Sequence, residues 1–401
     1  MAKTVFMLGI LFGSLINGQL SDRFGRRKIV IFCIILFLIF GFLTLLSTNI
    51  IIFLVCRFVL AFGITSVFVI SPAILSEIVS FEYRTIYCFT YGRGLALTLM
   101  LTPLIAWLIP NWFWLHLIFT LPWISLLCVH WFLPETPGWL LANGKFSELE
   151  ELLLYAAKKN RKDMQKAKGE ISDYIAHHSQ EKLMKENKDE KASVLGLLRP
   201  TMRKNTIIIF FCWFINSYNY YLLSWNTNDF GGDPYWSFFF TGLVEFPEMI
   251  IYIFLCRRVG NRWGLAIANV MSGIFLVALV CIPADKVWLK ILFSVCGIFF
   301  STASFDTNYV YTSELFPTVM RNAALGSGST VARIGALLAP FVHQLGDMTY
   351  PWVPIAVPGV LSIMSGFLIL LLPETKGKTL SDTFTQEEVK KVPVIKNRNE
   401  L

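Results

Sequence analysis

Residues 18–27, with the sequence GQLSDRFGRR, decide the fold of this chain because they place a short charged turn between two long apolar runs. The preceding run covers residues 5–20 and the following run covers residues 29–46. Segments of this kind satisfy their backbone hydrogen bonds in lipid only as helices. The turn therefore joins two predicted transmembrane helices, and its arginines indicate the cytoplasmic side of the membrane.

The composition extends this interpretation to the whole chain. Of its 401 residues 55% are apolar and 15% are charged, and the mean hydropathy is +0.58. These values exclude a soluble globular protein and make the lipid bilayer the partner of most of the surface. A window of about 19 residues predicts eleven transmembrane helices. They lie near residues 5–20, 29–46, 50–72, 86–109, 113–132, 205–224, 236–256, 264–282, 288–311, 322–345 and 351–372.

The distribution of positive charge predicts which loops face the cytoplasm. Lys and Arg are concentrated in the turn 18–27, in a long basic stretch at 134–204 and in the C-terminal tail at 374–401. The loops on the opposite side are short and poor in charge. By the positive-inside rule, the long loop and the C-terminus are cytoplasmic. This asymmetry accounts for the formal net charge of +8, so no nucleic-acid partner is expected.

Two motifs occur once in each half of the chain. Glu77 and Arg84 recur as Glu314 and Arg321, and the segment LPET at 133–136 recurs at 372–375. Such matches at nearly constant offsets indicate two parallel repeats related by an axis normal to the membrane. The chain is therefore divided into an N-terminal bundle of five helices, a cytoplasmic loop, a C-terminal bundle of six helices and a cytoplasmic tail. The predicted boundaries are 1–133, 134–204, 205–373 and 374–401.

These motifs resemble a known family. The turn 18–27 is similar to the signature of the major facilitator superfamily. The segments LPETPGWLL at 133–141, YTSELFPTVMRN at 311–322 and LPETKG at 372–377 resemble those of the organic cation, organic anion and carnitine transporters. The resemblance covers roughly residues 5–385 and implies an all-α major facilitator fold of two helix bundles. Family members have twelve helices, so the resemblance also implies that eleven of twelve are present and that the first is missing.

The resemblance implies where substrate binds. Within the family, the residues matching Trp213, Tyr221, Phe305 and Tyr309 line an aromatic substrate cavity. Glu245 matches a position associated with cation recognition or gating. An arginine at the position of Arg333 is typical of the anion and carnitine branches, where it faces a substrate carboxylate. Aromatic side chains at helical spacing also occur in ordinary packing, and that alternative stays open.

Asp306 and Arg333 are the ionisable residues that bear most directly on the substrate. A charge in the centre of a transmembrane helix is costly and must face protein or water. Arg333 lies twelve residues beyond Arg321 at the cytoplasmic boundary, hence about 18 Å into the bilayer. Asp306 is close in sequence to Phe305 and Tyr309, and an anion flanked by rings can receive an amine. A zwitterion would satisfy both charges, but Asp306 and Arg333 could equally pair with each other.

Acidic and basic side chains also occur at matching cytoplasmic helix ends. An ion-pair lattice between the two bundles would close an inner gate, and each exposed pair would contribute only about 0–1 kcal/mol, as a gate that must open requires. The alternative is that the cations serve only to orient the chain. The candidate gating residues are Asp22, Arg26, Glu77, Arg84, Glu314 and Arg321.

The sequence thus predicts a plasma-membrane transporter of small organic ions that works by alternating access and carries an organic cation or a carnitine-like zwitterion. One alternative is an organic anion transporter that uses Arg333, and another is a membrane protein that does not transport. The five histidines show no metal spacing, and no phosphate-binding loop occurs, so no enzyme, metal or cofactor is predicted. The oligomeric state is left open.

Overall fold

The computed structural model describes residues 1–79, 81–128, 132–185, 194–226, 233–283, 285–350 and 352–376. Within these ranges it describes no side chains at 76, 81–93, 178–185, 194–195, 226, 318–319, 322 and 343. The chain divides into two compact units, Met1–Lys191 and Ala192–Leu401. Regular structure within the described ranges is helical. The predicted all-α fold class is therefore confirmed.

The first unit begins with long apolar helices and ends with shorter, polar ones. Helices α1 and α2 both pack against α3, and α4 also contacts α3. The helices are α1 Ala2–Phe24, α2 Arg26–Leu45, α3 Ile50–Ile78, α4 Phe81–Leu108, α5 Trp112–Thr120, α6 Pro122–Ser125, α7 Pro137–Ala142, α8 Phe146–Lys159 and α9 Met164–Lys185. Helices α7 to α9 lie in the stretch predicted as a cytoplasmic loop, residues 134–204.

The described part of the second unit contains seven α-helices. Helix α12 packs against α13 and α16, whereas α10 packs against α14, α13 and α16. The helices are α10 Pro200–Asn226, α11 Pro234–Val259, α12 Asn261–Cys281, α13 Val287–Leu315, α14 Thr318–Leu338, α15 Val342–Met348 and α16 Val353–Ile369. A 3-10 turn, Val194–Leu198, precedes α10, and another, Ala339–Phe341, joins α14 to α15.

The joints α1–α2 and α11–α12 have the same backbone geometry in the two units. Each joint is a single glycine with positive φ, 108° at Gly25 and 94° at Gly260. Glycine adopts a positive φ at little cost because it has no Cβ atom. Any residue with a Cβ atom would be strained in this conformation. The turn at residues 18–27 therefore makes a tight connection between two antiparallel helices, and the same connection recurs at Gly260 in the second unit.

Polar caps begin three of the helices on the side opposite these joints. The side-chain oxygens of Asn49, Asn111 and Asp233 each accept a hydrogen bond of 2.9 Å from the backbone N–H two residues later. Such caps satisfy donors that the first turn of a helix leaves unpaired. The short loops predicted from low charge are thus the sites where α3, α5 and α11 begin.

Seven helices of the described chain are long and apolar enough to cross a membrane, and three shorter helical segments are apolar. The seven are Ala2–Phe24, Arg26–Leu45, Ile50–Leu75, Pro200–Trp225, Pro234–Val259, Asn261–Cys281 and Val287–Leu315. The three shorter segments are Gly94–Leu108, Trp112–Cys128 and Val353–Ile369. The remaining predicted segment, 322–345, is divided between α14 and α15, because Pro340 cannot continue the hydrogen bonding of α14.

Candidate functional site

Three predicted substrate residues form one aromatic cluster in the second unit. The ring of Trp213 on α10 meets the rings of Phe305 and Tyr309 on α13 edge-on, with centroids 5.4 and 4.4 Å apart. Phe305 and Tyr309 are themselves 5.4 Å apart. Trp213 is fully buried and donates from Nε1 to Oγ1 of Thr312 at 3.2 Å. Tyr309 remains 37% exposed. The ring of Tyr309 is therefore the accessible part of the cluster, whereas the ring of Trp213 is enclosed.

Helix α14 brings Arg333 to the same unit through close backbone approaches. A Cβ atom at Gly328 would lie 2.7 Å from Nε1 of Trp213, and one at Gly335 would collide with the carbonyl of Phe214. Glycine is therefore required at both positions for α14 to pack on α10. Arg333 lies between them, and its Nε atom is buried without a hydrogen-bond partner among the described residues. A buried donor left unpaired costs about 1–3 kcal/mol unless a ligand or water accepts it.

Asp306 is partly buried on α13, directly after Phe305 in sequence. Asp306 and the two rings of the cluster on α13, those of Phe305 and Tyr309, therefore belong to the same stretch of helix. The predicted alternatives, a substrate contact or a pair with Arg333, both stay predictions.

Tyr221 and Glu245 belong to a second group rather than to the Trp213 cluster. Tyr220 donates from its hydroxyl to Oε1 of Glu245 at 3.0 Å, and Glu245 is 4% exposed. The ring of Tyr221 meets those of Tyr220 and Trp225 at 5.3 and 5.2 Å. Tyr221 follows Trp213 by eight residues, hence by about 12 Å along α10. The predicted substrate residues thus occupy two levels of the second unit.

The predicted gating residues of the first unit lie around the Gly25 joint. Arg26 contacts Oε1 of Glu77 through Nη2 at 2.6 Å and lies 3.9 Å from Asp22. Glu135 accepts from the backbone N–H of Arg26 at 2.9 Å, and the same oxygen accepts from the next residue at 3.2 Å. A carboxylate at the start of α2 also interacts favourably with the helix dipole. Glu135 was not predicted as a site residue, although its recurrence in the repeat was a signal.

The second unit has a similar but not identical arrangement. Oε2 of Glu314 accepts from Asn261 at 2.7 Å and from Thr375 at 2.6 Å. Glu374, the counterpart of Glu135, is reached by the side chain of Arg262 at 3.5 Å. The contacts described for the predicted gating residues thus lie within each unit.

Arg321 and Arg84 are the two remaining residues of the predicted gate. Arg321 donates from Nε to the carbonyl of Ser313 at 2.7 Å. The side chain of Arg84 lies outside the described residues. The predicted lattice between the bundles stays a prediction.

Comparison with known proteins identifies the class. The matching family model, Sugar (and other) transporter, covers residues 2–385. The Organic cation transporter protein of Drosophila melanogaster is 36% identical over 391 residues, 96% of this chain and 71% of that protein. Organic cation/carnitine transporter 2 of Homo sapiens is 32% identical over 389 residues, 96% and 68% of the two chains. The xylose transporter XylE from E. coli superposes with a TM-score of 0.70 at 16% identity over 94% and 88% of the chains.

The fold and these matches define a multi-pass membrane transporter with the major facilitator fold, not an enzyme. More narrowly, the chain belongs to the Sugar (and other) transporter family and, within it, to the family of organic cation and carnitine transporters. The resemblance predicted from the motifs is therefore confirmed.

Proposed function

We propose that this protein transports small organic ions, an organic cation or a carnitine-like zwitterion, across the membrane by alternating access. The observation that carries the proposal is the aromatic cluster of Trp213, Phe305 and Tyr309, with Asp306 on the same helix as two of the rings. Aromatic faces and a carboxylate are the chemistry that attracts a quaternary or protonated amine. The names of the two relatives, which refer to organic cations and carnitine, support the same substrate class.

Arg333 supplies the second half of the argument for a zwitterion. Its Nε atom is buried and has no hydrogen-bond partner among described residues. A guanidinium binds a carboxylate through two parallel hydrogen bonds, so a substrate carboxylate would satisfy this donor. A substrate with an amine near Asp306 and a carboxylate near Arg333 would use both groups. The other candidate, an organic anion transporter, relies on Arg333 alone.

The orientation of the chain in the membrane and the role of the candidate gating residues are also part of the proposed function. Positive charge on the turn 18–27 and on the long loop supports a cytoplasmic C-terminus, and the plasma membrane is the proposed location. The candidate gating residues would hold the cytoplasmic side closed in one state and separate in the other. The moderate strength of partly exposed ion pairs such as that between Arg26 and Glu77 is suited to this exchange.

Uptake into proteoliposomes tests the proposal. Labelled carnitine, tetraethylammonium and a dicarboxylate are each offered to the wild type and to Asp306→Asn and Arg333→Ala. We expect carnitine uptake to be lost in both variants and tetraethylammonium uptake to be lost only in Asp306→Asn. The exposed residues Asp173 and Arg203 supply matched controls, Asp173→Asn and Arg203→Ala, in which uptake should be unchanged.

Other outcomes separate the alternatives. Dicarboxylate uptake that survives Asp306→Asn and is lost in Arg333→Ala would replace the proposal with an anion transporter. Absence of uptake of every probe by well-folded wild type would favour a membrane protein that does not transport.

A further inference from the structure

Helix α16 and the turn that follows it present an apolar face to the outside of the second unit. The side chains of this face are three or four positions apart, and each is between 44% and 61% exposed. They belong to Val360, Met364, Phe367 and Leu371. The opposite face packs on α12, where a Cβ atom at Gly366 would lie 2.9 Å from the carbonyl oxygen of Ala266. The packing of α16 on α12 therefore turns the apolar face outward.

The outward face contains an open groove, called here the α16 groove, with a volume of about 560 Å³. Its lining residues are all apolar and are Val360, Ile363, Met364, Phe367, Leu368 and Leu371. From Val360 to Leu371 the chain rises about 16 Å. This length matches one leaflet, since the hydrocarbon core of a bilayer is about 30 Å thick. The α16 groove therefore has the length and the chemistry to receive one acyl chain of a phospholipid.

One end of the α16 groove carries a positive charge. The ammonium group of Lys204 on α10 lies 3.5 Å from the carbonyl oxygen of Leu371, a residue that lines the groove. Lys204 is exposed, and it forms no ion pair with a carboxylate of the described residues. It is also the last charged residue before the apolar part of α10, residues 205–224. Its charge is therefore available to a lipid headgroup whose acyl chain lies in the groove.

The start of α12 indicates that this end of the groove lies at the level of the lipid headgroups. Arg262 donates from Nη1 to the carbonyl of Leu372 at 3.1 Å, next to the carbonyl that Lys204 reaches. The charge of Arg262 is compensated by Glu374 at 3.5 Å. The neighbouring Trp263 is 44% exposed, and exposed tryptophan is typical of the interface between lipid and water. Lys204 therefore lies where a phosphate group of the bilayer can reach it.

The charge of Lys204 distinguishes between lipids that fit the groove equally well. Phosphatidylcholine carries its own compensating cation, so Lys204 adds little to its binding. Phosphatidylserine has a net negative charge, and one lysine near the membrane surface strengthens the binding of such a lipid about fivefold. The selectivity of the site for anionic lipid therefore depends on Lys204, whereas the groove contributes to the binding of either lipid.

We propose that the α16 groove and Lys204 form a binding site for an anionic phospholipid, with one acyl chain in the groove and the phosphate beside the ammonium group. In the proposed orientation of the chain this lipid belongs to the cytoplasmic leaflet. Because the lipid contacts both α10 and α16, it strengthens the packing of these two helices. The site uses no residue of the aromatic cluster, so it does not depend on the proposed function.

Photo-crosslinking tests the headgroup contact. The full chain is placed in phosphatidylcholine nanodiscs that contain phosphatidylserine or phosphatidylcholine with a diazirine in one acyl chain, and labelled peptides are quantified by mass spectrometry. We expect the phosphatidylserine probe to label residues 360–371 about fivefold more than the phosphatidylcholine probe does. This excess should disappear in Lys204→Ala and remain in Lys204→Arg, which keeps the charge. The matched control is Lys168→Ala, at an exposed lysine of α9, and it should keep the full excess.

A second variant tests the groove. Met364→Trp fills it from an exposed position, so the excess labelling by phosphatidylserine should fall although Lys204 is intact. Equal labelling by the two probes in the wild type would assign the face to bulk lipid, and labelling by neither probe would assign it to a protein partner. Either result, or an excess retained in Lys204→Ala, overturns the proposal. Labelling requires no transport, so its failure leaves the proposed function standing, and a failure of uptake leaves the lipid site standing.

Discussion

Glu135 holds the start of α2, and its removal should destabilise the first unit measurably. Its Oε1 accepts three backbone N–H groups, of which two, from Arg26 and Arg27 at 2.9 and 3.2 Å, belong to the start of α2 and one, from Thr136 at 3.3 Å, to its own segment. A hydrogen bond to a charged group contributes about 1.5–3 kcal/mol. Because Glu135 is partly exposed, the lower value applies to each of the two bonds to α2, and their loss in Glu135→Ala should cost about 3 kcal/mol. For a unit of this size the midpoint of thermal unfolding should fall by roughly 6–12 °C.

Two variants calibrate this prediction. Glu135→Gln keeps an acceptor oxygen and loses the charge, so it should lose about half as much stability. Glu374, the repeat counterpart, bonds to the backbone N–H groups of Thr375 and Lys376 in its own segment and lies 3.5 Å from Nε of Arg262, but it bonds to no described backbone N–H of α12. Glu374→Ala should therefore cost about 1 kcal/mol.

The cysteines allow each unit to be followed separately. Cys33 is fully buried in the first unit and Cys212 in the second. Their labelling by a thiol reagent during heating of the protein in nanodiscs, quantified by mass spectrometry, reports the opening of each unit. Earlier labelling of Cys33 in Glu135→Ala, with Cys212 unchanged, is the expected result. A loss in Glu135→Ala no larger than in Glu374→Ala, or equal losses in the alanine and glutamine variants, would refute the reasoning.

The aromatic groups of the second unit give two further predictions. Gly328→Ala forces the ring of Trp213 to shift and should raise KM for tetraethylammonium about tenfold, which is about 1.4 kcal/mol. The control is Gly326→Ala, which should leave KM unchanged because an added Cβ there meets nothing within 4 Å. Equal KM values in the two variants would contradict a role of the aromatic cluster in substrate binding. Tyr220→Phe removes a donor from buried Glu245, so the unfolding free energy should fall by about 1–3 kcal/mol; a thermal shift assay that finds no change would mean that the bond contributes nothing.

Much of the fold was accessible from the sequence because its signals are local. Apolar runs predict helices wherever lipid is the solvent, and the two recurring motifs predict two repeated halves. The predicted segment 322–345 shows the limit of this reasoning. The many small residues of this segment lower the mean hydropathy of α14. Gly328 and Gly335 have to be small because α10 packs closely against them.

The site was only partly predictable because its contacts join distant parts of the chain. The spacing of Phe305 and Tyr309 on one helix indicates a shared face, but their meeting with Trp213 depends on how α10 and α13 pack. Likewise, the bond of Glu135 to the start of α2 spans 109 residues. The family resemblance places Tyr221 with Trp213 in one cavity, whereas the eight residues between them separate the two by about 12 Å along α10.

The Gly25 joint also determines where the protein will accept a reporter group. An inserted residue or a fluorophore there would displace Glu135 from the backbone it binds, because an added Cβ at Gly25 already lies 2.5 Å from that carboxyl group. The turn between α8 and α9, residues 160–163, is exposed and makes no such attachment. Exposed turns tolerate insertion best, so optical sensors of this carrier are best grafted into that turn.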